Sequence, residues 1–407
     1  MLQKYFETIR DSRQAGKVKH SMLEVIIMTI SAVVSGCEHW EDIADFCKVK
    51  ETWFREKVGL ELKHGVASHD TFQRIFAIIR PKELEKRFSA WMKAVVEKTQ
   101  GECVSIDGKT IRGSRDESEH VIHMVSAWAN RNQMVLGQVR TDEKSNEITA
   151  IPELLELLEL TGCIVTIDAM GCQKEIAKNI MQSHADYVLA LKENHPTIFG
   201  EVKFYFESAL NEPHFYGDIQ KAKTLEKGHG RIEKRVYYLT DEIGWMEDKA
   251  QWSGLKAIGM VCSRVEKADG IHEQTRFFLS SVDDIALFSE AVRSHWGIEN
   301  SLHWCLDVVF NEDKSKTHVD NSGENFAVIR HIALNLLKAY PAKMSFARKR
   351  RKCEYDPDFV ANVLFSQIAL GDHRYRAAVV RIGCAGSGLR VSISRESGQG
   401  TGEREQA

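Results

Sequence analysis

From the N-terminus to about residue 98, apolar residues recur at helical spacing. Residues 23–34 are the most apolar stretch, with Glu24 the charged residue inside it. A membrane-spanning helix needs about 20 apolar residues, so this stretch predicts a buried helix. A second helix is expected around Trp40, Ile43, Ala44 and Phe46. Ser68 stands where a cap belongs, and Phe72, Ile75 and Phe76 follow at helical spacing. Pro81 opens a fourth helix through Trp91 and Val95. Such a set resembles a helix-turn-helix bundle, with Arg74 on the face of its third helix. Plain helix packing and DNA contact are equally open readings of it.

After Cys103 the period changes to that of strands. Strands are expected at residues 103–106, 121–128, 134–139, 163–167 and 187–192, with a turn at 130–133. Helices are expected at 147–158, with Pro152 near its start, and at 173–182. Three meandering strands, then alternating helix and strand, is the order of the ribonuclease H fold. That predicts an α/β chain with a mixed sheet. Residues 196–284 break the alternation and read as a β-rich insertion. A helix over 284–309 then returns to the core carrying Glu299, followed by an amphipathic helix at 326–338 and a last helix at 359–369. The expected organisation is a helical N-terminal domain (1–98), the first part of the catalytic core (99–195), the insertion (196–284), the second part of the core (285–370) and a disordered tail (371–407) rich in Gly, Ser and Arg.

Composition adds little. The 407 residues carry a formal charge of −3, so DNA binding would need a local basic face. One basic run, Arg348 to Lys352, stands out. The 9 cysteines are scattered, several inside apolar runs, and no CxxC pair occurs. This predicts reduced thiols in a cytoplasmic protein and no structural zinc.

The chemistry lies in three acids. Asp107 and Asp168 each follow a β-branched run, and Glu299 lies in a helical segment far downstream. A lone Asp at a strand end is often only a turn former. In this topological order, however, the first and fourth strands are neighbours, so the two aspartates converge. Clustered carboxylates repel each other and favour bound cations. Hard dications take carboxylate oxygen, and two of them can clamp both oxygens of a phosphodiester displacement. Glu299 lies among Trp296, Ile298, Leu302 and Trp304, which predicts a partly buried face with the tryptophans in the core. Candidate DNA contacts are Lys109, Arg112, Lys192, His229, Arg231, Arg293 and His295, each of which also reads as an ordinary surface or packing residue. His295 and His303 lie eight residues apart, which does not suit a zinc pair.

Four blocks carry a family resemblance. They are Ser105-Ile106-Asp107-Gly108-Lys109-Thr110, the stretch from Thr141 to Ile148, Asp168-Ala169-Met170-Gly171-Cys172-Gln173, and the stretch from His295 to Trp304. Over about residues 5–370 the chain resembles the H-repeat-associated, Rhs-linked insertion-sequence transposases of the DDE type. The resemblance implies a ribonuclease-H-like core and a catalytic, metal-holding triad of Asp107, Asp168 and Glu299. It also implies two Mg²⁺ (or Mn²⁺) ions, double-stranded DNA as partner at transposon ends and target, and a homo-oligomer on that DNA. The wider DDE pattern sets Tyr, Arg and Lys around the Glu, where this chain has Val292, His295 and Leu306. Arg293, His295 and His303 are the residues at hand to replace them. The alternatives are a ribonuclease-H-fold nuclease of another class, or an inactive remnant that only binds DNA.

Overall fold

The computed structural model describes residues 2–95, 102–114, 121–141, 147–212, 218–228, 231–267 and 270–365. Its centre is a nine-stranded mixed sheet of order β3-β2-β1-β4-β5-β9-β8-β7-β6. The strands are β1 Cys103–Ile111, β2 Ile122–Ala129, β3 Met134–Arg140, β4 Ile164–Ile167, β5 Asp186–Leu191, β6 Gln220–Gly228, β7 Arg231–Thr240, β8 Ala257–Lys267 and β9 Gly270–Ser280. β1, β2 and β3 meander antiparallel, and β4 and β5 join parallel to β1. This is the ribonuclease-H-like arrangement. All four residues of β4 are buried, as suits an inner strand covered on both faces.

Two strand expectations change. β1 runs on to Ile111, so Asp107 lies inside the strand rather than at its end. The reason is its antiparallel partner: β2 pairs with β1 as far as Ile111↔Ile122, whereas the parallel pairing with β4 stops at Ile106↔Ile167. The segment read as an insertion opens with a helix, Pro196–Asn211, and then extends the same sheet. β9 pairs antiparallel with β5, from Val188↔Ser280 to Leu191↔Phe277.

The helix Ile285–Gly297 packs across β1 and β4. Asp284 caps it, its carboxylate accepting from the amides of Ala286 and Leu287 at 2.9 Å each. Gly259 of β8 lets Phe288 of that helix sit against the sheet, since a Cβ there would lie 2.2 Å from the ring. The helix then widens into a π-helical segment, Ile298–His303, and ends as Trp304–Val308.

Ser322–Ala339 is buried nearly all round rather than amphipathic. It is the axle of a helical core shared by both ends of the chain. Met22–Val34, also almost wholly buried, packs on it. Asn325 donates to the carbonyls of Phe76 (2.7 Å) and Ile79 (2.9 Å). Asn335 accepts from the Val135 amide (3.0 Å) and donates to its carbonyl (2.8 Å), closing part of the β3 edge. The basic run is partly internal. Lys349 donates to the Leu337 carbonyl at 2.6 Å, and Arg350 reaches the Val33 carbonyl and Glu38. The last described helix is Pro357–Phe365. The expected tail and the end of the 359–369 helix lie outside the described residues. The eight described cysteines are free thiols. No helix among the described residues is long and apolar enough to cross a membrane.

Candidate active site

β1 and β4 set the first two acids side by side. Their last paired rung is Ile106↔Ile167, so Asp107 and Asp168 occupy the next one. Adjacent strands lie about 4.8 Å apart, which brings the two carboxyls within reach of each other. Asp168 turns the chain out of β4, its Oδ1 accepting from the amides of Met170 (2.9 Å) and Gly171 (3.3 Å). Asn194, beyond β5, donates to the Ala169 carbonyl at 2.8 Å and ties the two loops together. Lys192 is exposed beside that loop.

Glu299 sits in the π-helical turn, exposed, while Ile298 and Leu302 anchor that turn in the helical core. It was expected to be partly buried. Trp296 and Trp304, expected in the core, are 40% and 55% exposed. A π turn takes more residues than an α turn, so the faces of the helix do not continue as α-helical spacing predicts. Such turns often mark functional sites.

The electrostatics converge on Asp107. Its carboxyl is pushed up to about 7, by burial first and then by the negative charge of Glu147, with Asp168 and Glu299 adding to the effect. A hydrogen bond from the Gly108 amide at 2.9 Å works the other way. All three expected acids therefore act on one place, and a fourth joins them. Glu147 opens the helix Glu147–Leu157 and is held 2.8 Å from His123 Nε2. His123 Nδ1 lies 2.8 Å from the Thr110 hydroxyl. Gly108 makes room for this pair: a Cβ would lie 2.1 Å from Glu147 Oε1 and 2.5 Å from His123 Nε2.

Sequence reasoning placed Glu147 in a family block but gave it no role, and it passed over His123. Antiparallel pairing was the usable signal, since His123 faces Thr110 across β1 and β2. His303, from the π segment, brings Nδ1 to 3.8 Å from Asp107 Oδ2. Burial, then the nearby charge of Lys109, lowers its pKa to about 4, so it stays neutral near pH 7.

The expected DNA contacts divide. Lys109 has internal partners: its ammonium lies 2.8 Å from Asp307, 3.1 Å from Glu312 and 3.1 Å from Asp313. Arg293 is bound bidentately to Glu226 of β6, at 2.6 Å on each arm. His295 is largely buried, its Nδ1 3.0 Å from the Thr166 hydroxyl, and burial lowers its pKa to about 4. A neutral, enclosed imidazole makes a poor phosphate grip, so the expectation is revised for these three. Arg112 is exposed, with only a 3.7 Å approach to Asp313. Arg231 is half exposed near Glu233. His229 lies outside the described residues.

The donor set suits a hard dication. It is all carboxylate oxygen, and the mutual repulsion registered at Asp107 is relieved by positive charge. Among the described residues, no three His, Cys, Asp or Glu side chains stand together as a metal-holding group.

Residues 98–336 match the family model described as "Transposase DDE domain", and residues 3–92 match the model described as "DDE_Tnp_1-associated". The chain is 41% identical over 378 residues to "Putative transposase YncI" of Escherichia coli O157:H7, covering 90% of this chain and 95% of that one. It is 39% identical to "H repeat-associated putative transposase YhhI" of E. coli K12, covering 89% and 97%. A cryo-EM structure of the piggyBac transposase synaptic complex with hairpin DNA gives a TM-score of 0.37 at 11% identity, over 89% of this chain and 77% of that one. That likeness is too slight to argue from.

Proposed function

This chain belongs to the family of DDE-domain transposases, and on that premise we propose that Asp107, Asp168 and Glu299 hold divalent cations and direct strand cleavage and strand transfer at the ends of a mobile DNA element. The observation that carries the reading is the Asp107 carboxyl, surrounded by Glu147, Asp168 and Glu299 and pushed up to about 7. A fold keeps such repulsion where a cation offsets it. Two Mg²⁺ or Mn²⁺ ions, when bound, would activate a water and stabilise charge on the phosphate oxygens.

The residues of the chain supply the frame. β1 and β4 bring Asp107 and Asp168 in side by side, each one residue past the last paired rung, Ile106↔Ile167. The helix across them brings in Glu299. Neutral His303 stands 3.8 Å from Asp107 without adding charge. In the reaction, a water oxygen attacks phosphorus and the bond to the 3′ oxygen breaks, leaving a 3′-hydroxyl. That hydroxyl, losing its proton, then attacks a phosphodiester of the target and joins to its 5′ phosphate, while the bond to the target's own 3′ oxygen breaks and that oxygen leaves as a protonated 3′-hydroxyl. Double-stranded DNA is the substrate in both steps, and two ends held together imply a homo-oligomer. Arg112, Lys192 and Arg231 are the exposed cations we assign to the phosphates. The test is Asp107→Asn. Cleavage of an end-bearing duplex in Mg²⁺ falls by about 1,000-fold or more, about 4 kcal/mol of barrier, while duplex affinity holds. Cleavage near the wild-type rate would sink the reading.

A further inference from the structure

The family blocks place a lysine two residues after Asp107, where sequence reading gives it a DNA phosphate. The structure gives it other work. Residues two apart on a strand share a face, so Asp107 and Lys109 point the same way from β1. Opposite them, in the Glu299 helix, stand His303 and Asp307. His303 Nδ1 is 3.8 Å from Asp107 Oδ2, and Asp307 Oδ1 is 2.8 Å from Lys109 Nζ. The spacings match: two strand residues rise about 6.6 Å and four helical residues about 6 Å. The two contacts are thus successive rungs between strand and helix. Glu299 lies four residues before His303, across the π turn.

The second rung is heavily braced. The Lys109 side chain is 11% exposed, and Glu312 (2% exposed) and Asp313 close on it from the turn after the helix. Glu312 is held in turn by Arg330, 3% exposed, at 3.7 Å. Asp313 also accepts from the Arg112 amide at 3.3 Å. Gly113 fits its backbone against this turn, where a Cβ would meet the Asp313 carbonyl at 2.6 Å. The ammonium is therefore the bolt between the strand of Asp107 and the helix of Glu299.

We propose that Lys109 is a positioning residue: its ammonium, through Asp307, Glu312 and Asp313, sets the register of the Glu299 helix on β1 and so the distance between Asp107 and Glu299. This rests on the cleavage reading above, and it assigns Lys109 no contact with DNA.

The test compares Lys109→Met, Lys109→Arg and Asp307→Asn in the full chain. Three quantities are read: Mn²⁺ affinity by titration with the metal alone, affinity for an end-bearing duplex across a salt series, and single-turnover cleavage of the bound duplex. For Lys109→Met we expect cleavage to fall about 100-fold and Mn²⁺ affinity about tenfold, with duplex affinity and salt slope unchanged. Lys109→Arg recovers part of both losses, which a general loss of stability would not explain. Asp307→Asn moves the same two quantities the same way, and decides the matter if Lys109→Met fails to fold. Weaker duplex binding with the salt slope reduced by about one, and unchanged cleavage once bound, would overturn the proposal in favour of a phosphate contact. So would an Asp307→Asn variant with wild-type Mn²⁺ affinity and rate. A wild-type chain that binds Mn²⁺ yet never cuts the duplex contradicts the cleavage reading instead, and the Mn²⁺ arm still judges Lys109.

Discussion

Asp107 concentrates the energetics of the site in one residue. Its carboxyl is raised from the ordinary carboxylate range to about 7 by burial and by three neighbouring acids. Without metal, the folded chain keeps that proton up to about pH 7, whereas the unfolded chain releases it near pH 4. Between those values the folded state binds more protons, so this group's contribution to stability falls as pH rises and is fully lost above about 7. Asp107→Asn removes the conflict. The metal-free variant should melt higher than wild type at pH 8, by roughly 2 °C, and show no gain at pH 4. A lower melting temperature at pH 8 would mean that the acids are not crowding one another. The same proton competes with metal. Mn²⁺ affinity should drop as pH falls below about 7, approaching tenfold per pH unit, and calorimetry at pH 6 and pH 8 reads the difference.

At the scale of elements, the sequence showed the inner strands and the long returning helix, because β-branched runs and helical periodicity are strong local signals. The three acids were legible for the same reason: each sits beside such a run. Pairing was not legible. The length of β1 depends on β2, and the joining of β9 to β5 spans a distance along the chain that no local pattern encodes. The π turn was hidden as well, since the residues from His295 to Trp304 read as plain helix. Charged residues with internal or distant partners misled most. Lys109, Arg293, Lys349 and Arg350 look like surface charges until their partners, distant in sequence, come into view. One packing contact tests how the Glu299 helix is seated. In Gly259→Ala the new methyl meets the buried Phe288 ring, 2.2 Å from the Cβ position. The helix must then lift, at a cost of about 1–3 kcal/mol. Denaturant unfolding reads that loss, and cleavage should fall with it. Full stability would show that the helix is not pressed on β8.

Across the whole molecule, the two chain ends build one core. Residues from Leu2 to Val95 pack with residues from Ile298 to Leu364 in a single apolar cluster. The Ser322–Ala339 helix has no polar face to present to water. A fragment beginning at residue 98 would therefore expose a large apolar surface. It should aggregate or lose its near-ultraviolet circular dichroism, and a soluble, cooperatively melting fragment would contradict the shared core. That core also bears on the N-terminal helices as DNA readers. His69–Ile78 keeps Arg74 outward, but its other face is bound to the axle helix. Any DNA it touches is thus held in fixed relation to the acids. The most direct test of the account is cleavage of an end-bearing duplex in Mg²⁺ by the wild-type chain and by Asp107→Asn, Asp168→Asn and Glu299→Gln, each with duplex affinity measured alongside. The account predicts that the wild type cuts and that all three variants bind the duplex but do not cut it. A variant that still cuts at the wild-type rate would contradict a single site built from these three acids.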